Sequence, residues 1–356
     1  MDTTMNAKTI IPVNYSDRIG YSVYVGENTI YDAPAILRER FPRAIRTVVV
    51  ADANVTEYGN RLVGALREAG LETSLFTFEG GEHNKTLESI EKIVRYLAEC
   101  GLDRDSFICG VGGGITGDVS AFAASIYMRG IGFASFPTTL LAAVDSSVGG
   151  KTGVNLGGLK NMVGTFSRPS AVFCDTTTFA TLPAREFACG MAEVIKYAVS
   201  LDAELLCELE SETPPSVDDI ISRCVSIKAG VVMRDEHESG ERMLLNFGHT
   251  IGHAIEKCSD AAFLHGEAVG LGMLSVTRGA EAKGICPEGL STRILALLKK
   301  YDLPTECDLP RERLIAAASH DKKKSGKQTR FILPTDAGKS AVFIFSDEAV
   351  GDYVNL

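Results

Sequence analysis

The amino-acid sequence predicts an α/β protein, with an N-terminal domain built on a parallel sheet and a C-terminal domain that is mostly α-helical. In the first half, short apolar segments rich in β-branched residues alternate with segments of helical periodicity. In the second half, long amphipathic segments contain few β-branched runs. At 356 residues, the chain has the length of two domains, each with its own apolar core.

Strands are predicted where short apolar segments end at a polar or glycine-rich turn. The first three, TVVVA (47–51), SLFTF (74–78) and FICGV (107–111), each precede a segment with helical spacing. Two more are predicted at 132–136 and 171–175. Strands that alternate with helices are joined by right-handed crossovers, so this order predicts a parallel sheet.

The second half of the chain is dominated by apolar residues at helical spacing. Helices are predicted in AREFACGMAEVIKYAVS (184–200), VDDIISRCVSIKAGVVMRD (217–235) and GHTIGHAIEKC (248–258). Near the C-terminus, the basic segment HDKKKSGKQ precedes two strand-like segments, FIL and AVFIF. A small antiparallel element therefore accompanies the helices.

A domain boundary is predicted at TTTFATLP (176–183), where threonines and a proline interrupt the periodic pattern. The predicted domains are residues 1–180 and 181–356. Both lie within the usual range of domain sizes.

The composition excludes several classes of protein. A net charge of −10 argues against nucleic acid or an anionic membrane surface as a partner, because both require a basic footprint. No apolar run reaches the roughly 18 residues of a spanning helix, and the N-terminus lacks the pattern of a signal peptide. The nine cysteines include no C-x-x-C pair, which is typical of buried thiols in a reducing compartment. We expect a cytoplasmic protein.

Two turns that follow predicted strands are candidates for nucleotide binding. GGGITGD (112–118) opens a helix, so its backbone amides can approach a pyrophosphate at the helix N-terminus. A glycine-rich turn required only by packing is the alternative, and SFPTT, about twenty residues later, offers no acidic partner for a ribose. GGEHNK (80–85) offers Glu82 to a ribose and Lys85 to a phosphate, although a solvated loop is nearly as good an explanation.

The segment DSSVGGKTGVNLGGLKN (145–161) surrounds Lys151 and Lys160 with glycines and has no apolar face. A flexible loop of this kind predicts an anion clamp, because ammonium and backbone amide groups can both approach a phosphate or a carboxylate. A solvated charged loop is the alternative.

Three of the six histidines, His249, His253 and His265, lie within residues 246–267. His249 and His253 are four residues apart, so a helix places both on one face, as in helical zinc sites. This spacing predicts that both bind one metal ion. Zinc also accepts a carboxylate ligand, and a catalytic site keeps one position open for substrate.

Two further pairs of polar residues are candidates for the same site. Glu193 and Lys196 are one turn apart in a mostly apolar helical segment, where a surface ion pair is the simpler interpretation. Arg242 and Asn246 are four residues apart, which predicts a shared helical face leading toward the histidines.

Several motifs in one order resemble the 3-dehydroquinate synthases, which are sugar-phosphate cyclases. They are GGGITGD, YMRG, FPTTLLAAVDSSVGGKTGVN, LKNMVGTF, GMAEVIKYA, RMLLNFGHTIGHAIE and LHGEAVGLGM, and they cover about residues 45–335. The resemblance implies an N-terminal nucleotide-binding α/β domain, a C-terminal α-helical metal-binding domain, and an active site in the cleft between them. It also implies a homodimer, bound NAD and one divalent metal ion, either zinc or cobalt.

The resemblance assigns roles to individual residues. It implies Glu193, His249 and His265 as the metal ligands, whereas His253 belongs to the substrate and proton-transfer network. The other implied substrate-pocket residues are Arg129, Asp145, Lys151, Asn161, Lys196, Lys228, Arg242, Asn246 and, from the DKKK run, Lys323. The implied NAD contacts are Asp52, Glu82, Lys85, Gly114, Ile115, Thr116, Gly117, Asp118, Thr138, Thr139, Lys151, Lys160, Thr178 and Thr181.

The implied substrate is 3-deoxy-D-arabino-heptulosonate 7-phosphate, whose two anionic groups explain a basic clamp in an acidic protein. The implied reaction is a transient oxidation by NAD, β-elimination of phosphate, re-reduction, ring opening and an intramolecular aldol closure. The product is 3-dehydroquinate, in the second step of the shikimate pathway.

Three alternatives stay open. Cyclases that form 2-deoxy-scyllo-inosose or 2-epi-5-epi-valiolone alter the substrate pocket, whereas Asn246 and His253 follow the dehydroquinate pattern. A polyol dehydrogenase of related architecture has a neutral substrate and needs no clamp of lysines and arginines. A regulatory protein that lost catalysis would lack a metal ligand or a pocket base, and this sequence retains them.

Overall fold

The structure is a computed structural model that describes residues 5–15, 20–260, 262–320 and 328–356. Among the helices of these ranges, none is long and apolar enough to cross a membrane. None of the nine cysteines, which all lie within the described ranges, forms a disulfide, and six of them are buried.

The helices and strands are named in chain order. The strands are β1 (Thr9–Val13), β2 (Tyr21–Gly26), β3 (Arg46–Asp52), β4 (Glu72–Phe78), β5 (Phe107–Gly112), β6 (Gly132–Pro137), β7 (Val154–Leu156), β8 (Leu159–Val163), β9 (Ala171–Asp175), β10 (Gln328–Asp336) and β11 (Lys339–Ser346). The α-helices are α1 (Ala33–Arg40), α2 (Thr56–Glu68), α3 (Leu87–Glu99), α4 (Gly114–Ile126), α5 (Ala184–Leu201), α6 (Ala203–Glu210), α7 (Val217–Arg234), α8 (His249–Cys258), α9 (His265–Ala282), α10 (Leu290–Lys300) and α11 (Arg311–His320).

The chain divides into two compact units. The first comprises Met1–Leu182 and Val217–Met233, and the second comprises Pro183–Ser216 and Arg234–Leu356. Helix α7 therefore groups with the first unit although it follows α5 and α6 in the chain. The functional domain boundary at residues 180 and 181 stays a prediction.

The first unit is built on a seven-stranded sheet in the order β1-β2-β9-β6-β5-β3-β4. Only β1 and β2 pair antiparallel, and the other pairs are parallel. All five strands expected from the sequence are present, which confirms the predicted α/β class with a parallel sheet. Successive residues of β3 face opposite sides, so Val49 packs with α2 while Val48 packs with α3 and α4.

The strand order creates a switch point next to β3. From β3 the chain first adds β4 on one side and then β5 on the other. Ligands of doubly wound sheets bind where the order reverses, outside the carboxyl ends of the strands. The glycine-rich turn that joins β5 to α4 lies at this edge.

The second unit consists of helices and the antiparallel β10–β11 hairpin, which the segments FIL and AVFIF predicted. Helix α9 is its central element, since most of its residues are buried. Both α5 and α8 pack against α9. These three helices carry the histidines and Glu193.

Two local predictions were wrong. Residues 145–161 are not an irregular loop, because β7 and β8 form a short hairpin within them. The segment 241–246 is a 3-10 helix rather than an α-helix, so Arg242 and Asn246 do not share a face. Helix α4 ends at Ile126, and Met128 and Arg129 then adopt positive φ angles of 49° and 70°.

Candidate active site

Glu193 and Lys196 form a buried ion pair on α5. Their side chains are 2% and 1% exposed, and Glu193 Oε2 lies 2.5 Å from Lys196 Nζ. The surface interpretation of this pair is therefore wrong. Two charges are removed from water here at a large desolvation cost, which local attraction only partly offsets.

The imidazoles of His249 and His265 converge on the same carboxylate. His249 Nε2 lies 3.8 Å from Glu193 Oε1, and His265 Nε2 lies 3.5 Å from it. One donor atom from each of the three residues lies within 4.8 Å of the other two. One carboxylate and two imidazoles at this separation fit a divalent ion such as zinc and leave coordination positions open.

Glycines allow the three helices to approach closely enough for these short side chains to meet. A Cβ at Gly266 would lie 2.3 Å from the carbonyl oxygen of Cys189, one turn before Glu193. A Cβ at Gly272 would lie 2.1 Å from the carbonyl oxygen of Gly248, the residue before His249. Close backbone contact is possible only because neither glycine has a side chain.

The start of α9 is held by Glu267. Its Oε2 accepts a hydrogen bond from the Leu264 backbone N–H at 2.8 Å. Its carboxylate also pairs with Arg185, on the first turn of α5, at 2.6 and 2.7 Å. Burial alone would raise the pKa of Glu267, but these hydrogen bonds lower it. The first turns of α5 and α9, the helices that carry Glu193 and His265, are thus fixed to each other.

His249 and His265 each have the Nδ1 atom next to a hydrogen-bond acceptor. His249 Nδ1 lies 3.2 Å from the Phe247 carbonyl oxygen, and His265 Nδ1 lies 3.3 Å from Glu256 Oε1. Burial lowers the pKa of His249 to about 3. Burial also opposes the charged form of His265, but its hydrogen bonds to Glu193 and Glu256 raise its pKa to about 10.

Glu256 received no role from the sequence, although a signal was available. It lies three residues after His253 and seven after His249, so a helix places all three on one face. A second group of possible ligands among the described residues is His253, Glu256 and His265. His249 and His253 share neither group, so the structure does not support the i, i+4 prediction that both bind one ion. Their rings meet edge-on, with centroids 5.4 Å apart.

A tight turn before the histidines positions Arg242. Asp235 accepts hydrogen bonds from the backbone N–H groups of Ser239, Gly240 and Arg242 at 2.9, 2.7 and 3.0 Å. These bonds outweigh burial and lower the Asp235 pKa to about 2. The guanidinium of Arg242 is buried and donates to the carbonyl oxygen of Glu236.

Asn246 is held by a neighbouring acid, since its Nδ2 donates to Glu238. The acidic run at 235–241 is thus not simply solvated.

In the first unit, the turn between β5 and α4 lines a pocket. Its walls include Gly112, Gly113, Gly114, Gly117 and Lys151. A Cβ at Gly117 would meet nothing within 4 Å, so the helix surface at this residue faces open space. The orphan N–H groups of a helix start can bind a phosphate there.

Two acids lie close to this turn, although the sequence segment that follows the turn contains none. Asp52 ends β3, and its Oδ2 accepts a hydrogen bond from Thr116 at 3.1 Å. The backbone of Gly80 also approaches this carboxylate, because a Cβ there would lie 2.4 Å from Asp52 Oδ2. Glu82 follows in the same turn and accepts from Asn155 at 2.9 Å. Asp52 comes from the end of β3, which is next to β5, and Glu82 comes from the turn after β4, which lies on the far side of β3.

Lys85 is 6% exposed and lies in a polar cluster rather than in a solvated loop. Its Nζ donates to Asp118 Oδ2 and to Asn161 Oδ1, both at 2.6 Å. Burial raises the Asp118 pKa, and the charge of Lys85 opposes that change. This contact joins the GGEHNK turn, helix α4 and the β8 strand.

The remaining predicted residues occupy several places. Lys228 on α7 pairs with the Asp145 carboxylate and donates to its backbone oxygen at 2.7 Å. Thr138 donates its backbone N–H to Gly112, next to the pocket. Exposed positions are held by Arg129, Lys151, Lys160 and Thr181, and Ile115, Thr139 and the buried Thr178 lie at the ends of α4, β6 and β9. Lys323 lies outside the described residues.

Comparison with known proteins decides the family. Residues 75–189 match the family described as 3-dehydroquinate synthase N-terminal, and residues 190–324 match 3-dehydroquinate synthase C-terminal. The 3-dehydroquinate synthase of Enterococcus faecalis is 41% identical over 318 residues, 87% of this chain and 89% of the relative. This chain belongs to the 3-dehydroquinate synthase family. That of Koribacter versatilis is 41% identical over 350 residues, 96% of this chain and 95% of the relative.

Solved structures of cyclases resemble the fold of this 3-dehydroquinate synthase family member. A 2-deoxy-scyllo-inosose synthase in complex with carbaglucose-6-phosphate, NAD+ and Co2+ has a TM-score of 0.84 and 27% identity, covering 97% of this chain and 100% of that one. A 2-epi-5-epi-valiolone synthase from Streptomyces hygroscopicus, with NAD+ and Zn2+ bound, has a TM-score of 0.84 and 27% identity, covering 95% and 96%. The predicted enzyme and its 3-dehydroquinate synthase activity are confirmed by the curated relatives.

Proposed function

We propose that the chain converts 3-deoxy-D-arabino-heptulosonate 7-phosphate to 3-dehydroquinate and phosphate, with NAD and one divalent metal ion, zinc or cobalt. The observation that carries this proposal is the convergence of the His249 and His265 Nε2 atoms on the Glu193 carboxylate. A homodimer in the cytoplasm is part of the proposal, as the family resemblance implies. An active site in a cleft between the two parts of the chain stays a prediction.

The proposed metal ligands are Glu193, His249 and His265. Their donor set fits zinc or cobalt, which accept imidazole and carboxylate together. The solved cyclases with Co2+ and Zn2+ support the same choice of metal. When bound, the ion supplies Lewis-acid polarisation of a substrate oxygen, while NAD supplies a reversible hydride transfer.

The proposed NAD site lies at the carboxyl ends of β3, β4 and β5. The open space before Gly117 supports a phosphate contact, and Asp52 and Glu82 are carboxylates available to ribose hydroxyls. The remaining proposed NAD contacts are Lys85, Gly114, Ile115, Thr116, Asp118, Thr138, Thr139, Lys151, Lys160, Thr178 and Thr181.

Cationic side chains are proposed to bind the two anionic groups of the substrate. Arg242 is suited to this role because it is buried and held by the Asp235 turn, so little of its freedom is lost on binding. Lys196 neutralises Glu193 and can hold an oxyanion beside it. The other proposed contacts are Arg129, Asp145, Lys151, Asn161, Lys228, Asn246 and Lys323.

His253 is proposed to carry a proton. Its ring is exposed and lies beside the two ligand histidines, with centroids 5.4 and 6.0 Å away. A histidine next to a metal ion, but not bound to it, can accept or donate a proton at the reacting substrate.

Another cyclase activity is the second candidate, because the solved cyclases share the fold at 27% identity. The curated dehydroquinate synthases share more, at 41% identity over most of the chain. The dehydroquinate reaction is therefore the better-supported choice.

Turnover with substoichiometric NAD tests the proposal. We expect many molecules of phosphate and 3-dehydroquinate per NAD, loss of activity after chelation, and recovery with zinc or cobalt. Absence of phosphate release from metal-replete protein would contradict it. Glucose 6-phosphate and sedoheptulose 7-phosphate, offered in parallel, would reveal the other cyclase activities.

A further inference from the structure

Glu256 contacts a proposed metal ligand on the side that faces away from the proposed ion. His265 directs Nε2 toward Glu193 at 3.5 Å and Nδ1 toward Glu256 Oε1 at 3.3 Å. The His265 ring thus lies between two carboxylates, with one nitrogen facing each of them. The Glu256 side chain is 12% exposed, and the His265 side chain is 36% exposed.

We propose that Glu256 is a positioning residue, which holds His265 in the tautomer and ring orientation that directs the Nε2 lone pair at the metal ion. This inference rests on the metal site proposed above. A neutral imidazole that binds metal through one nitrogen carries its proton on the other. A carboxylate that accepts this proton in a hydrogen bond fixes the ring and makes the ligand more basic.

His249 supports the inference by comparison. Its Nδ1 lies 3.2 Å from the backbone carbonyl oxygen of Phe247, while its Nε2 faces Glu193. Both proposed imidazole ligands therefore have an acceptor at Nδ1 and present Nε2 to the same carboxylate. One acceptor is a backbone carbonyl group, which substitution leaves in place, and the other is the Glu256 side chain, which substitution can remove.

The same atoms invite a different interpretation, in which His253, Glu256 and His265 bind a second cation. A second ion would need the lone pair of His265 Nδ1. That nitrogen carries the proton whenever Nε2 of a neutral imidazole binds the first ion. The 3.3 Å separation of Nδ1 and Oε1 is that of a long hydrogen bond, so we favour the positioning role.

Metal affinity is the decisive measurement. The full-length metal-free protein, its Glu256→Ala and Glu256→Gln variants, and a Lys257→Ala control are titrated with Zn2+ against a competing chelator. Lys257 is the exposed neighbour of Glu256 on α8, so its replacement reports general damage to the helix. In a separate measurement, the visible absorption bands of bound Co2+ report the geometry of the ligands.

We expect Glu256→Ala to weaken Zn2+ binding by about 10- to 100-fold, the range found when partners of ligand histidines are removed. Glu256→Gln should lose less, because its amide oxygen still accepts the Nδ1 proton, and Lys257→Ala should bind as the wild type does. The Co2+ spectrum should change in Glu256→Ala. A structural role alone would lower stability without altering this spectrum.

Three results would overturn the inference. The first is unchanged affinity in both Glu256 variants. The second is two Zn2+ per chain in the wild type and one in Glu256→Ala, which would make Glu256 a ligand. The third is a wild-type protein that binds no Zn2+ or Co2+ at all, which would overturn the proposed metal site itself and is distinguishable from the other two. Should Glu256→Ala fail to fold, the near-isosteric Glu256→Gln still measures the effect of charge.

Discussion

Gly266 lies against Cys189 so closely that a Cβ on Gly266 would stand 2.3 Å from the Cys189 carbonyl oxygen. Cys189 precedes Glu193 by one helical turn, and Gly266 follows His265. The distance between two proposed ligands is therefore set by a backbone contact rather than by side-chain packing.

Gly266→Ala should force α5 and α9 apart. We expect the free energy of unfolding to fall by about 1–3 kcal/mol, as in other overpacked sites, and Zn2+ affinity to fall with it. Urea unfolding and chelator competition measure the two effects. Gly64→Ala is the control, since Gly64 is exposed on α2 and a Cβ there would meet nothing within 4 Å. This control substitution should stabilise the folded protein slightly. Wild-type stability in Gly266→Ala would contradict this account.

Replacing Gly117 should affect ligand binding without affecting folding. Gly117 is helical and faces open space, so Gly117→Leu should leave the thermal unfolding midpoint of the NAD-free protein almost unchanged. The added side chain would occupy the proposed phosphate position, and we expect NAD affinity to fall at least about tenfold, or about 1.4 kcal/mol. Calorimetric titration with NAD measures this, and Gly64→Leu is the matched control. Equal NAD affinity in the two variants would contradict the proposal that this turn binds the NAD phosphates.

Removing Lys196 should make stability depend more strongly on metal. Lys196→Met leaves the buried Glu193 carboxylate without its ammonium partner, which costs about 3–5 kcal/mol in comparable cases. A bound cation would restore the charge balance, so Zn2+ should raise the melting temperature of the variant more than that of the wild type.

The control for this variant is Lys92→Met, which removes an exposed i, i+4 pair with Glu88 on α3. Exposed pairs contribute about 0–1 kcal/mol, so little change is expected. If Zn2+ stabilises Lys196→Met and the wild type equally, the ion does not act on the Glu193 charge.

The Asp235 turn should contribute a pH-dependent term to stability. The pKa of the Asp235 carboxyl group is lowered from 3.8 to about 2 by backbone hydrogen bonds, so the folded state holds this proton less tightly than the unfolded state does. Its stabilisation is therefore complete above pH 3.8 and is lost as the pH falls toward about 2. Asp235→Asn should be less stable than the wild type by about 1–2 kcal/mol at pH 6.

The difference between Asp235→Asn and the wild type should then shrink below pH 3.8, as urea titrations at several pH values would show. A difference that stayed constant down to pH 3 would mean that the carboxylate charge does not hold the turn. The Arg242 backbone N–H donates a hydrogen bond to Asp235. If this turn positions Arg242, Asp235→Asn should also have a higher KM for an anionic substrate.

The sheet and most helices follow from the sequence because their apolar periods are strong. The strands 47–51 and 171–175 were placed within one residue, since both faces of a parallel sheet are buried and the apolar runs are continuous. The hairpin in the segment 145–161 does not follow from the sequence. The segment is rich in glycine, and Leu159 and Met162 are both exposed, so buried and exposed residues do not alternate along β8.

The metal cluster was only partly predictable. His249 and His253 share a helix face, and spacing alone favoured both as ligands. The carboxylate ligand, Glu193, comes from a helix more than fifty residues earlier, and only the packing of α5 and α8 against α9, at Gly266 and Gly272, brings it to His249. The role of Glu256 depends on contact with the next helix, which no local periodicity contains.

Helix α7 belongs to the first unit, whereas residues 183–216 before it belong to the second. The polypeptide leaves the first unit, begins the second, returns, and leaves again. During synthesis the first unit is therefore incomplete until residue 233 has emerged from the ribosome, by which time α5 and α6 are already outside. A gene fragment that stops at residue 182 would lack α7 and the Lys228 contact to Asp145. The two units are thus interleaved along the gene, and no single cut of the chain separates them into complete folding pieces.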